Sequence, residues 1–128
     1  MKKRKRKQHR IDPMSCNVPN VCFSLIEPYD KRWGGMKKQR LSRGFDDSET
    51  WSLDYTISSF IAPRLERFIE IYKGFVDDSE TQYVPKMEKA LEAFKMYTNE
   101  EDLFKEENYN KMMEGLKCFA EVFPALWW

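Results

Sequence analysis

Histidine is almost missing from this 128-residue sequence, with His9 the one copy. Acid–base and metal mechanisms near neutral pH lean heavily on histidine, so its scarcity points away from an enzyme. Glycine is sparse too, five residues in all. Neither a phosphate-cradling loop nor a dinucleotide-binding glycine pattern is present. Cysteine numbers three, Cys16, Cys22 and Cys118. An odd count does not fit a disulfide framework and reads as reduced thiols. Five residues separate Cys16 from Cys22, wider than the two to four of a paired structural zinc site. No metal site and no cofactor is expected. No apolar run approaches the roughly 20 residues of a membrane span. The basic run from Lys2 to Lys7 lacks the apolar stretch that would make it a signal peptide. The sequence therefore reads as a soluble, intracellular protein.

Aromatic residues and charge are plentiful. Nine Phe, six Tyr and four Trp within a hydrophobic fraction of 41% are enough for a real core in one domain. A net charge of +1 conceals a division. Residues 1–44 carry thirteen Lys/Arg against three Asp/Glu, an excess of ten; residues 45–128 carry nine against eighteen, a deficit of nine. The pattern is a basic arm on an acidic body. Lys2, Lys3, Arg4, Lys5, Arg6, Lys7 and Arg10 form the dense part of the arm, and Lys37, Lys38, Arg40 and Arg43 a second basic group. Both are candidates for phosphate contact on nucleic acid. The plainer alternative is a solvated tail, or one resting on an acidic protein surface. With no aromatic residues interleaved in the run, nothing suggests base readout.

Organisation follows from the breakers. Pro13, Pro19, Pro28, Gly34, Gly35 and Gly44 punctuate the first part, predicting an irregular arm over residues 1–42 and a helical domain over 43–128. Val21-Cys22-Phe23-Ser24-Leu25-Ile26 reads as an isolated extended segment on the helical body, Trp33 as an anchor, and Met36 to Arg43 as a short basic helical turn. Asp46 with Glu49, or Asp47 with Thr50, has capping-box spacing at the start of a long helix. Its apolar positions Leu53, Ile57, Phe60, Ile61, Leu65, Phe68, Tyr72 and Phe75 recur at helical steps. Pro63 interrupts it; the retained apolar phase favours one kinked helix over two. A second helix opens near Pro85 and carries Met87, Ala90, Leu91, Phe94 and Tyr97. A last one runs from Tyr109 to Phe123, where Pro124 stops it. The fold expected is all-α, a small bundle of three to four helices.

Three positions stand out beside the helices. Trp51 is read as a packing residue. Asp54 sits between apolar neighbours and is expected to pair with Arg64, Arg67 or an arm residue. Trp127 and Trp128 either pack back on the body or form an exposed aromatic plug for a partner. The remaining carboxylates, Asp46, Asp47, Glu66 and Glu70, read as caps or solvated faces. No catalytic residue is assigned.

The stretch from Arg43 to Asp54, then Ile61-Ala62-Pro63-Arg64-Leu65, then Gly115-Leu116, Phe119 and the Leu126-Trp127-Trp128 ending together resemble a group of small bacteriophage and prophage proteins. The resemblance covers roughly residues 43–128. It implies a phage or prophage gene product at work in the bacterial cytoplasm or a virion, and it implies no activity. Three binding readings stay open. One is a non-enzymatic accessory or virion-associated protein with a host, phage or self partner. Another is a nucleic-acid binder using the arm. The third is a subunit whose arm docks on the acidic body of a second copy.

Overall fold

A computed structural model describes residues 20–77, 79 and 81–128. Lys2, Lys3, Arg4, Lys5, Arg6, Lys7 and Arg10, with His9 and Cys16, lie outside the described residues. The described residues are all-α, with no strand among them. Five helices follow one another: α1 Trp33–Arg43, α2 Leu53–Phe75, α3 Val84–Tyr97, α4 Glu100–Leu103 and α5 Glu106–Val122. The chain divides into two compact units between Trp51 and Ser52.

In the first unit, the basic residues expected as a short turn belong to an eleven-residue helix, α1. Gly44 ends it in the left-handed conformation (φ 87°), and its N–H returns to the Arg40 carbonyl at 2.8 Å. Glycine adopts that conformation at no steric cost, which is why it closes helices so often. Asp46 then caps a 3₁₀ turn, Asp47–Thr50. Its side chain accepts from the Ser48 N–H at 2.9 Å, and Glu49 Oε2 accepts from the Asp46 N–H at 2.7 Å. The capping box expected from the sequence is real, but it caps this turn and not the long helix. The apolar run from Val21 to Ile26 forms neither helix nor strand. It is held by Ser24 Oγ donating to Asp46 Oδ2 at 2.6 Å and the Leu25 N–H donating to Ser48 Oγ at 2.9 Å.

The second unit is built around α3, which packs against both α2 and α5. Ala62, Leu65, Ile69 and Tyr72 of α2 meet Val84, Met87, Ala90 and Phe94 of α3, with Val122 of α5 completing the core. Fully burying a side chain such as Leu65, Met87 or Val122 contributes about 1.5–3 kcal/mol. On its other side α3 approaches α5 unusually closely. A Cβ on Gly115 would lie 2.4 Å from the Ala93 Cβ and 2.6 Å from the Lys89 carbonyl oxygen, so the contact exists because residue 115 has no side chain. Ion pairs then run from α3 to both neighbours. Lys95 meets Glu66 and Glu88 meets Lys73 on the α2 side; Lys89 meets Glu114 and Lys86 meets Glu121 on the α5 side. Lys89 and Glu88 thus each reach across to a neighbouring helix.

α2 passes through Pro63 as one helix. Arg64 attends the disturbed turn, its Nη1 donating to the Phe60 carbonyl at 2.8 Å and its guanidinium 3.9 Å from the Phe60 ring centroid. The apolar stripe expected of α2 is buried only in part, with Ile61 and Phe68 packed against the core beside Leu65 and Tyr72. Ser58, Ala62, Leu65, Ile69 and Tyr72 are buried, whereas Leu53, Ile57, Phe60 and Phe75 are exposed. Small residues let the helices approach, and packing chose that stripe. Among the described residues, no helix is long and apolar enough to cross a membrane.

Candidate functional site

The most chemically distinctive surface of the second unit lies where α5 runs out. Val122 is fully buried and holds the helix end to the core. Phe123–Ala125 then form a 3₁₀ turn around Pro124, which supplies no N–H to prolong the helix. Leu126 reverses the chain, with φ −82° and ψ 63° and the Trp127 N–H donating to the Ala125 carbonyl at 2.9 Å. These are the marks of an inverse γ-turn. Leu126 packs against the core, and with it anchored, both tryptophans are presented outward.

Trp127 is 76% exposed and Trp128 62%, so the aromatic ending does not pack back into the core. Trp128 instead stacks on Phe75, itself 71% exposed at the last turn of α2, with ring centroids 5.1 Å apart at 28°. The pair forms part of a groove of about 560 Å³. Tyr72, Phe75 and Val76 line it from α2 and its end, and Tyr83 from the turn before α3. Glu121, Pro124 and the two tryptophans line it from the α5 side. Glu121 is ion-paired with Lys86, whose ammonium is stabilised by that contact and titrates above its ordinary value. In sequence, Asp77-Asp78-Ser79-Glu80 follows Val76 directly.

A stacked, solvent-open aromatic pair is costly to leave in water and well suited to a partner. Tyr and Trp are enriched at interface hot spots because they bury large areas at low entropic cost. No arrangement of nucleophile and base occurs among the residues that line the groove.

The other residues singled out from the sequence are dispersed. Trp51 belongs to the first unit, is 49% exposed, and packs beneath Arg32, whose guanidinium carbon is 4.9 Å from the ring centroid; it is not a core residue. Asp54 is exposed on the first turn of α2, where it favours the positive end of the helix dipole. The expected pairing with Arg64 or Arg67 does not form: Arg64 serves Phe60, and Arg67 pairs with Glu70 at 2.8 Å. The basic group on α1 is also largely committed. Arg40 is buried and donates to Glu49 at 2.5 Å, which removes it from any phosphate-binding set. Arg43 pairs with Asp47 at 2.6 Å and lies over the Phe45 ring. Lys37 lies over Trp33, and Lys38 is exposed.

Phe75, Tyr72 and Tyr83 were missed as site residues. Their signal was present in part, since Phe75 is the last apolar residue before the acidic loop, but the chain alone does not say that α2 ends beside residue 128. No family model matches the chain, and no curated protein or solved structure emerges as similar to it.

Proposed function

We propose that this is a non-enzymatic phage or prophage protein, accessory or virion-associated, that works by binding a macromolecular partner through the aromatic groove. The observation that carries the reading is the Trp128–Phe75 stack, open to solvent on both rings. Isolated exposed apolar residues are ordinary, but a grouped aromatic surface over a groove is characteristic of interaction sites.

The test is capture from phage-infected cells with the full chain and with Trp128→Ala and Phe75→Ala. Partner proteins should be retained by the parent and lost from both variants, whose helical circular dichroism and melting should be nearly unchanged. Specific turnover of a nucleotide or nucleic acid by the purified protein, or capture indifferent to both substitutions, would sink the reading.

A further inference from the structure

We infer that α2 pairs antiparallel with α2 of a second copy of this chain, along the exposed stripe through Leu53, Ile57 and Phe60. The inference does not depend on the aromatic groove or on its occupant. Three observations carry it. First, α2 has apolar surface that its own bundle leaves uncovered. Leu53, Ile57 and Phe60 are each about half exposed, and Phe75 is more exposed still. One such residue is ordinary, but these recur along one helix face. Second, the stripe is symmetric about Arg64. Leu53 and Phe75 lie eleven residues either side of it, Ile57 and Ile71 seven, Phe60 and Phe68 four. The steps of three and four keep all of them on one side of the helix. Phe68 and Ile71 are half-buried, so the stripe is widest towards its two ends. A two-fold antiparallel pair sets each residue opposite the one equally far beyond the centre in the other copy. Leu53 then meets Phe75, Ile57 meets Ile71 and Phe60 meets Phe68, with no apolar position facing a polar one. A parallel pair, or a pair with some other helix, needs no such symmetry. Antiparallel pairing also sets the positive end of each α2 beside the negative end of the other. Arg64 falls on the two-fold axis. Its guanidinium already lies over the Phe60 ring and donates to the Phe60 carbonyl, and a polar residue at one seam position fixes register at some cost in stability. Third, the area suffices. At roughly 100 Å² each, Leu53, Ile57, Phe60 and Phe75 offer about 400 Å² per copy. With Phe68, Ile71 and the polar flanks, two copies bury about 1,000 Å², where specific interfaces begin.

Sedimentation equilibrium of the full chain from about 1 to 500 μM should show a monomer–dimer equilibrium with Kd on the order of tens of micromolar, as an interface of this size implies. Leu53→Ser and Ile57→Lys, both at exposed positions, should each weaken it about tenfold or more. Their helical circular dichroism and melting at low concentration should match the parent's. Because residue 57 faces residue 71 of the second copy, Ile57→Lys with Ile71→Glu in one chain should recover most of the lost association. The two positions are about 21 Å apart along one helix, so that recovery has to arise between copies. Mixing Ile57→Lys chains with Ile57→Glu chains should give no recovery, because residue 57 does not face itself. This mixture decides the orientation if the double variant folds poorly. A strict monomer at about 500 μM, or association indifferent to Leu53→Ser and Ile57→Lys, overturns the inference. So does association that depends instead on residues 1–10, a folded double variant that recovers nothing, or recovery in the mixture.

Discussion

Gly115 shows how one missing side chain can set the distance between two helices. A methyl group there would meet the Ala93 Cβ at 2.4 Å and the Lys89 backbone oxygen at 2.6 Å, and backbone cannot swing away as a flexible side chain does. Gly115→Ala should therefore destabilise the second unit by about 1–3 kcal/mol, despite alanine's better helix propensity. Chemical denaturation measures this, and a neutral or stabilised variant would mean that the helices separate without cost. The Arg40–Glu49 pair poses a different question, because both side chains are buried. Arg40→Ala leaves a carboxylate buried without that partner and should cost about 3–5 kcal/mol. Replacing both residues together, Arg40→Met with Glu49→Leu, should recover much of the loss, since the desolvation penalty disappears with the charges. Asp30 supplies a pH signature. Hydrogen bonds from the Arg32 side chain and N–H hold its carboxyl down from the ordinary 3.8 to about 2. A depressed carboxylate pKa contributes stability above the unfolded value and loses it as pH falls through the folded one. The Asp30 contact should thus persist at pH 4 and weaken between about pH 4 and 2. Carboxyl carbon chemical shifts followed against pH locate the midpoint, and a value near 3.8 would contradict the geometry.

Among the elements, α2 was the most legible and also the most misleading. Its helical period, its end near Phe75 and its passage through Pro63 are all readable from residue spacing. Which stripe faces inward is not. Leu53, Ile57 and Phe60 have the greater apolar area, yet Ser58 and Ala62 are buried and the larger residues are exposed. Helix packing rewards small residues where axes approach, and periodicity gives the angle of a stripe without its destination. The capping box was similarly half legible. Asp46 and Glu49 have the right separation, but spacing does not reveal that Ser52 departs from helical geometry (φ −129°, ψ 73°) and separates the capped turn from α2. Nor does it reveal that Ser24 and Leu25 reach back to Asp46 and Ser48, since those contacts span more than twenty residues. The exposed Trp127 and Trp128 follow from the turn at Leu126, which carries no glycine or other strong sequence signal.

Over the whole molecule, the charge division remains the plainest property. Nucleic-acid binding through the basic residues would now rest on Lys2, Lys3, Arg4, Lys5, Arg6, Lys7 and Arg10 together with Lys37 and Lys38, because Arg40 and Arg43 already have acidic partners. Such binding should fall steeply between about 50 and 200 mM salt. Deletion of residues 1–10 should abolish most of it, whereas Arg40→Met with Glu49→Leu should leave its salt slope unchanged. Electrophoretic mobility shifts over a salt series provide the measurement, and salt-insensitive binding would dismiss phosphate contact. The ion pairs that join α3 to its neighbours are exposed and add little to stability, so the melting of the second unit should respond weakly to the same salt range.

The four tryptophans are shared equally, Trp33 and Trp51 in the first unit, Trp127 and Trp128 in the second. The protein thus carries two optical channels of its own. Changing Trp33 and Trp51 to Phe leaves fluorescence that speaks for the second unit, and changing Trp127 and Trp128 leaves fluorescence that speaks for the first. Unfolding curves recorded through the two channels report whether residues 20–51 melt together with the helices that follow or on their own schedule.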